Sequence, residues 1–465
     1  MLRFRLWGAG PRPAAGSQPA CWFATGQVRP EAGRKTGITC ILLLTTLLSA
    51  QTPGTPAPAG PPLTLAQAEA LAVRSHPQIA AAANTAAAAT QQITEQRSRF
   101  YPTLNGEITG TQGYDLGRLG AGALSASRLF NRFGAGLQIN QLVTDFGRTI
   151  NLVANSRLQA EAANQTTTAT RYDVILGVDR AYFEVLQDEA FVKVAQDTVN
   201  VRQTLANQVN ALFKAQLKSE VDLSFAQVNV SEAQLLLIRA QDSLREAYAD
   251  LSRAMGQDHP QRWQLADPGA PPNPPPDAAP LIAHAIQNRP ELASLRLQYQ
   301  AAQKFEAAER DLKRPNITGV AVGGGLPYIN QAGLPDEYEG VALNLEIPIF
   351  NGHLFAAREE AARQQALAAN QHLRDEQQQI EHDVHNAWVA ASTAYQRIPV
   401  TEDLIKQAEL ALKLAQGRYN LGLASIVELT QAQLNLTQAQ IENVTARYDY
   451  QTAYAALQFS TGSLR

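Results

Sequence analysis

The chain has 465 residues, of which 39 are basic and 42 acidic, so its formal net charge is -3. This near balance provides no broad basic surface for phosphates, and nucleic acid is therefore not expected as a partner. Both cysteines, Cys21 and Cys40, lie close to the N-terminus. The rest of the sequence consequently offers no disulfide and no thiolate metal ligand.

The N-terminal segment has the pattern of a secretory signal peptide. Arg34 and Lys35 precede an apolar run at 38–48, and the small residues Ser49 and Ala50 follow it. The run is well short of the ~20 residues that a membrane-spanning helix needs. We interpret 1–50 as a signal peptide, whose unusual first part favours a later translation start, for instance at Val28, and 51–62 as a proline-rich linker.

The exported part of the sequence repeats itself. The segment QAEAANQ at 159 returns as QALAANQ 206 residues later, and SHPQIA at 75 corresponds to NRPELA at 288. Each copy is far longer than the ~20–50 residues of a solenoid unit, so the pattern indicates a duplicated structural half. The first repeat is placed at 63–257 and the second at 281–465, with a proline-rich connector at 258–280 between them.

The first half is predicted to begin with two helices and to continue into strands. Thr64 can cap a short helix, and Pro77 can open a second one that ends near Phe100. Apolar and polar residues then alternate, which predicts strands with one apolar face at 104–109 and 133–140. The second half repeats this arrangement at 317–323 and 341–347, and a glycine-rich loop joins the strands of each pair.

Two very long helices are predicted, from about 145 to 216 and from about 351 to 421. At about 1.5 Å per residue, each is on the order of 100 Å long. Apolar residues spaced alternately three and four apart indicate heptad packing between helices. In the long helices these residues are Val192, Ala195, Val199, Ala206, Val209 and Phe213, and Ile405, Ala408, Leu412, Ala415 and Tyr419; in the second returning helix they are Val427, Thr430, Leu434, Thr437, Ile441, Val444 and Tyr448.

Each long helix reverses through a short turn into a returning helix. Ser219 stands three residues before Asp222, and Ser425 stands three before Glu428, so a capping box is predicted at the start of both returning helices. Gly422 supplies the flexible residue that a tight reversal needs. The first turn has Gln216 in its place.

Four strands with one apolar face do not form a stable unit by themselves, because they expose two edges and bury almost nothing. An apolar outside and a polar inside are typical of a lipid-embedded barrel with a wet lumen. Such a barrel must close, since no backbone group can stay unpaired in lipid. Several chains must therefore share one barrel, and three chains would contribute twelve strands.

These features resemble the TolC-like family of outer-membrane efflux channels over roughly 63–462. The resemblance is carried by the twofold repeat, by LVTDFGR at 142 and PIFNGH at 348, and by GRYNLGLASIVELTQAQ at 417. It implies a mainly α-helical fold in which a trimeric, twelve-stranded β-barrel in the outer membrane continues into an α-helical barrel in the periplasm. It also implies a periplasmic adaptor and an inner-membrane transporter as partners, and a passive exit duct for small molecules as the function.

In this family, contacts between helix tips close the periplasmic end of the tunnel. The resemblance implies that Tyr419 and Asp222 form a tip pair and that Glu428 belongs to an acidic ring. The sequence departs from the family pattern at Ala424 and Gln431, where a basic and an acidic residue can occur. Simpler roles are helix packing for Tyr419 and helix capping for the two acids. Adaptor docking is implied for the turn residues Leu217, Ser219, Gly422, Leu423, Ala424 and Ser425.

No catalytic motif, cofactor site or metal site is predicted, and an enzyme is not expected. His382 and His385 lie one helical turn apart but have no obvious third metal ligand. Two other functions fit parts of the sequence. A type I protein-secretion channel would use the same duct, whereas a periplasmic coiled-coil adaptor or scaffold would share the helices but would not need the strands.

Overall fold

The computed structural model describes residues 62–112, 132–329, 333 and 335–464. All of them belong to one structural unit, Ala59–Arg465. The predicted signal peptide, nearly all of the proline-rich linker and the glycine-rich segment between the first two strands lie outside the described residues.

Two successive sets of the same elements build this unit. The first set is α1 (Leu65–Ser75), α2 (Pro77–Ser98), β1 (Thr103–Thr111), β2 (Arg132–Thr144), α3 (Arg148–Lys214) and α4 (Glu220–Ala254). The second set is α5 (Ala279–Asn288), α6 (Pro290–Arg310), β3 (Asn316–Ile329), β4 (Glu337–Glu346), α7 (Leu354–Asn420) and α8 (Ile426–Ser460). Both α3 and α7 contain 67 residues, so each is about 100 Å long. The predicted, mainly helical fold with duplicated strand pairs and long helices is confirmed.

The helices begin where the local sequence predicts. Thr64 forms a capping box with Gln67 at the start of α1. Pro77 and Pro290 open α2 and α6, at a position where the missing N–H has no helical partner to lose. Within the described part of the chain, no helix combines the length and the apolar character needed to cross a membrane.

The four strands form one antiparallel sheet in the order β1-β2-β3-β4, so β1 and β4 are its edges. Leu104 lies opposite Ile139 and therefore on the same face of the sheet. Val341 and Leu343 of β4 lie opposite Ala321 and Gly319 of β3. The apolar side chains of this face are open to solvent in the single chain, with Val341 90% and Leu343 72% exposed.

The third strand differs from the prediction in its middle, where the larger apolar side chains do not join this face, whereas Ile317 at its start lies opposite Leu345 and does join it. Val320 and Val322 lie opposite Asn140 and Gln138 and therefore share the polar face. In the middle of β3 the apolar face is occupied by the small residues Gly319, Ala321 and Gly323. Alternation in the sequence therefore identified the strand but not the polarity of its two faces.

Tyr338 extends across the polar face over two glycines. It lies opposite Gly324, which itself lies opposite Gly136. A Cβ atom on Gly136 would overlap the Tyr338 hydroxyl, so the tyrosine can cross here only because this position has no side chain.

The helices pack side by side in a layer. Near the sheet the contacts run α2 to α3 to α6 to α7, and toward the turns they run α4 to α3 to α8 to α7. Many of the buried positions are alanines, which let neighbouring helix axes approach closely; among them are Ala86, Ala160, Ala162, Ala301, Ala308, Ala362 and Ala366. On one side of the layer α2 and α4 form the edge, and on the other side α7 does.

Near the turn, the predicted packing stripe of α8 is not the stripe that is buried within a single chain. Val427 and Leu434 are exposed, whereas Ile426, Leu429 and Gln433 are buried. The two sets lie on neighbouring stripes of the same helix, and α3 and α7 cover only one of them within a single chain.

The connector between the halves contains no helix or strand at 258–278, ahead of α5, and side chains of the long helices hold it. The Tyr182 hydroxyl lies 2.6 Å from the Ala266 carbonyl oxygen and 2.8 Å from that of Leu63. Trp388 Nε1 donates to the Pro275 carbonyl oxygen at 2.8 Å. The Gln264 carbonyl oxygen accepts from the Leu63 N–H, and side-chain donors pair further carbonyl groups here, since prolines have no N–H to build a longer ladder.

Candidate functional site at the helix turns

The two helix reversals have the same backbone geometry despite different residues. Gln216 has φ +63° and Gly422 has φ +72°, so both lie in the left-handed region. In each turn the next residue donates its N–H back across the helix end: Leu217 to the Leu212 carbonyl oxygen and Leu423 to that of Arg418, both at 2.9 Å. This is the Schellman ending of a helix. Gln216 therefore performs the backbone role of Gly422, at a cost of roughly 1–2 kcal/mol for a residue with a Cβ atom.

The capping box predicted after the first turn is complete, whereas only half of the box predicted after the second turn is present. The Asp222 N–H donates to Ser219 Oγ at 3.2 Å, and the Ser219 N–H donates to Asp222 Oδ2 at 3.1 Å. The Glu428 N–H likewise donates to Ser425 Oγ at 3.3 Å. The Glu428 carboxylate, however, is directed to Arg418, with 3.5 Å between Nε and Oε1. The prediction of a complete second box is therefore wrong. The Glu428 carboxylate does not accept from the Ser425 N–H, because the Arg418 cation competes with that neutral group for it.

Tyr419 lies in an apolar cluster directly above the turns. Its side chain is only 6% exposed, and the cluster also contains Val209, Ile426 and Leu429. Since these residues come from α3, α7 and α8, the cluster joins the two helical hairpins. The packing role considered for Tyr419 in the sequence is therefore present in the structure.

Tyr419 and Asp222 are near each other but do not form a hydrogen bond within the described chain. Burial, and to a lesser degree the charge of Asp222, raise the pKa of the Tyr419 hydroxyl. That hydroxyl has no hydrogen-bond partner among the described residues. The Asp222 carboxylate is occupied by Ser219, whose hydroxyl lies 2.9 Å from Oδ2.

Two cations of this site were not identified from the sequence. Lys218 Nζ lies 4.4 Å from the centroid of the Tyr419 ring, which is a cation–π contact between the first turn and α7. Arg418 is the ion-pair partner of Glu428. The helical spacing did not reveal Lys218, because its aromatic partner belongs to the other half of the chain.

The ends of both turns present exposed leucines. Leu217 is 69% exposed and Leu423 is 68% exposed, at equivalent places in the two turns. Ser219, Gly422 and Ser425 are also exposed, whereas Ala424 is partly buried against the apolar cluster. The six residues predicted to dock an adaptor thus lie together at the turn end of the helical layer.

A protein-family profile described as "Outer membrane efflux protein" matches residues 69–257 and 281–463. The match covers most of the chain, so the chain belongs to the outer membrane efflux protein family. The resemblance inferred from the repeat and the turn segments is confirmed.

Individual relatives agree with this assignment. Outer membrane protein TolC of Vibrio cholerae serotype O1 is 25% identical over 411 residues, which cover 84% of this chain and 89% of the relative. Outer membrane efflux protein BepC of Brucella suis biovar 1 is 22% identical over 359 residues, covering 77% of each. A solved structure of CusC gives a TM-score of 0.74 at 18% identity and covers 86% of this chain and 92% of its own. VceC from Vibrio cholerae gives 0.72 at 18% identity, covering 86% and 96%.

Family membership establishes the functional class of the protein and its location in the cell envelope. It is an outer-membrane efflux channel protein that extends into the periplasm, as predicted. The channels of this family serve tripartite pumps, together with periplasmic adaptors and inner-membrane transporters. The family consists of transport channels, and the alternative of a scaffold that never enters the membrane is set aside.

Gly422→Ala is expected to destabilise the second turn by about 1 kcal/mol, because alanine is strained in the left-handed region. Amide hydrogen exchange at 421–424, measured by mass spectrometry on the purified protein, should become about fivefold faster. Gly417→Ala is the matched control, since Gly417 lies within α7 with no atom within 4 Å of an added Cβ. Similar exchange in the two variants would contradict the strained turn.

Proposed function

We propose that three copies of this chain close into one exit duct, a twelve-stranded barrel in the outer membrane that continues into an α-helical barrel in the periplasm. The observation that carries the proposal is the sheet: β1 and β4 are its edges, and a row of large apolar side chains on one face is exposed. Pairing β1 of one copy with β4 of the next would satisfy both edges. Lipid would then cover the apolar face.

The helical layer supports the same closure. Along the edge helix α4, apolar side chains at a spacing of three, four and seven residues remain exposed: Val221, Phe225, Val228, Leu235 and Ile238. The opposite edge, α7, exposes Val400, Leu404 and Leu414, and Leu421 follows directly after its last residue. Such stripes are the faces by which helices pack in coiled coils. Contact between α4 of one copy and α7 of the next would bury both.

The opposite face of the sheet supports a water-filled lumen. Asn105 and Glu107 of β1 lie opposite Gln138 and Gly136 of β2. Asn344 of β4 lies opposite Thr318 of β3. A polar face directed to the inside of a closed barrel would conduct hydrated small molecules passively, as an exit duct requires.

Leu343→Arg tests the barrel. An arginine on the lipid face of a transmembrane barrel costs about 2–4 kcal/mol near the bilayer centre. We expect this variant to reduce the amount of heat-modifiable trimer in the outer-membrane fraction. Asn344→Arg places the same charge on the opposite face of the same strand and should assemble like the wild type. Equal assembly of both variants would refute the proposed orientation of the sheet.

The turns are proposed to gate the periplasmic end of the duct. The cluster around Tyr419 and the Lys218 contact join the two hairpins of one chain, which would hold the tip closed. The charge of Asp222 acts on Tyr419, and Glu428 pairs with Arg418 close by. Polar groups at this end could then exchange partners between neighbouring copies when the tip opens.

The double variant Asp222→Ala with Tyr419→Phe is expected to raise the conductance of the trimer in planar bilayers. Loss of about 1 kcal/mol of closed-state contact would increase the open population roughly fivefold. Asp242→Ala is the control, because Asp242 forms an exposed ion pair with Arg245 elsewhere on α4. If the double variant conducts like the control, Asp222 and Tyr419 have no part in the gate.

The exposed turn ends are proposed to dock a periplasmic adaptor. Leu217 and Leu423 offer two equivalent apolar contacts, and three copies would repeat them around the tip. Single exposed leucines of this kind suit an end-to-end contact with a helical hairpin, whose own turn would cover them.

Ser425→Cys tests docking, since the sequence after the predicted signal peptide has no other cysteine. A thiol-reactive crosslinker in cells should join this position to an adaptor. Ser231→Cys, at an exposed position farther along α4, should not react in this way. Crosslinking at 231 but not at 425 would argue against docking at the turns. Identification of the adaptor would also distinguish small-molecule efflux from protein secretion.

A further inference from the structure

A cavity of about 340 Å³ lies where the two halves of the chain meet, far along the helices from the turns. Its walls come from α1, α3 and α8, from the connector at 268–272 and from Leu464 near the C-terminus. We call it the junction cavity. Five of its lining side chains carry oxygen acceptors: the buried Asp179 and Gln451, the partly buried Glu69 and Tyr454, and the exposed Gln458.

Two of these acceptors are buried without a donor. Asp179 is 3% exposed, and its Oδ1 has no hydrogen-bond partner among the described residues. Gln451 is 5% exposed, and its Nε2 donates to the Gly269 carbonyl oxygen at 3.1 Å. This bond fixes the orientation of the amide, and Gln451 Oε1 is likewise unpartnered in the described chain. A buried acceptor without a donor costs about 1–3 kcal/mol, so two in one cavity need a physical reason.

Two acids, Asp179 and Glu69, also lie side by side in this cavity. The side chains of Asp179 and Glu69 hydrogen-bond to each other, although both are acids. Burial, followed by the charge of Glu69, raises the pKa of Asp179 to about 8. Much of the remaining lining, including Leu65, Phe183 and Ala455, is apolar. The two acids thus share one proton where water stabilises charge poorly, so the pair carries one negative charge, and a bound cation would replace that proton.

We propose that the junction cavity binds one divalent cation of the calcium type, with Glu69, Asp179 and Gln451 as protein ligands. An all-oxygen set selects a hard cation rather than one that prefers nitrogen or sulfur. Two carboxylates balance a divalent charge. Ligands from three separate helices suit calcium, which accepts irregular geometry, better than magnesium, which requires a near-ideal octahedron. The set combines two acids with an amide, because within the described residues no group of three acidic, histidine or cysteine side chains could hold a metal ion.

Such a cation would connect the first half of the chain to the second. Glu69 and Asp179 belong to the first half, whereas Gln451 belongs to the last helix. The same region holds the connector, through the Gln451 contact with Gly269. Calcium would therefore stabilise the junction of the halves, a role independent of the proposed gate and adaptor contact.

Equilibrium dialysis of the full-length protein against radioactive calcium tests the site. The protein is purified in detergent, and magnesium, sodium and potassium are supplied as competitors. We expect one calcium per chain, displaced poorly by magnesium. Asp179→Asn keeps the side-chain shape and should weaken binding by at least about 100-fold, and Gln451→Leu by about tenfold, on the scale of changes around metal ligands.

Asp188→Asn is the matched control, because Asp188 lies on the same helix beside the acids Glu184 and Glu246 but outside the cavity. It should bind calcium like the wild type. Circular dichroism checks that every variant is folded. Absence of calcium binding in the wild type, or equal loss in Asp179→Asn and Asp188→Asn, would overturn the proposal. In that case the pair of acids shares a proton and holds no metal.

Discussion

An antiparallel sheet with two unpaired edges and one exposed apolar face is the constraint on which the rest of this structure depends. In water such a sheet would pair with other chains or aggregate, because its backbone groups and its apolar row both lack partners. In lipid the same features become favourable once the edges meet, since the bilayer covers the apolar row and closure pairs every backbone group. The middle of β3 contributes little to this row, because Gly319 and Ala321 have almost no side chain, and Ile317 at the start of the strand adds a large one beside Leu345. Most of the apolar contact therefore comes from β1, β2 and β4.

The helices extend this constraint away from the membrane. Each strand pair continues into a helix of 67 residues, so the order of elements in the sheet is carried into the helical layer. Alanines in the buried positions bring the helices close, and the layer ends in edge helices with exposed apolar stripes. The duplicated sequence supplies both halves with the same elements. The connector then ties the halves together through carbonyl groups that accept from Tyr182, Trp388 and Gln451.

The turns show how different residues reach the same geometry. Gly422 takes the left-handed conformation freely, whereas Gln216 takes it at a cost, because the returning helix must begin at the equivalent place in both halves. Ser219 and Ser425 both cap their helices, but only Asp222 completes a box. The Glu428 carboxylate turns to Arg418, a choice that local spacing does not reveal. Spacing rules for neighbouring residues thus predicted both serine caps correctly, but they gave the Glu428 carboxylate the wrong partner.

The sequence by itself determined the duplicated order of elements, the period of each strand and helix, the positions of the caps, and the family. These properties depend on neighbours within a few residues, and local sequence records them directly. Only the tertiary structure decided which face of β3 joins the apolar row, which stripe of α8 is buried, and that Lys218 covers Tyr419. It alone brought Glu69, Asp179 and Gln451 to one cavity. Each of these depends on contacts between segments far apart in the chain, and spacing along one segment carries no information about what packs against it.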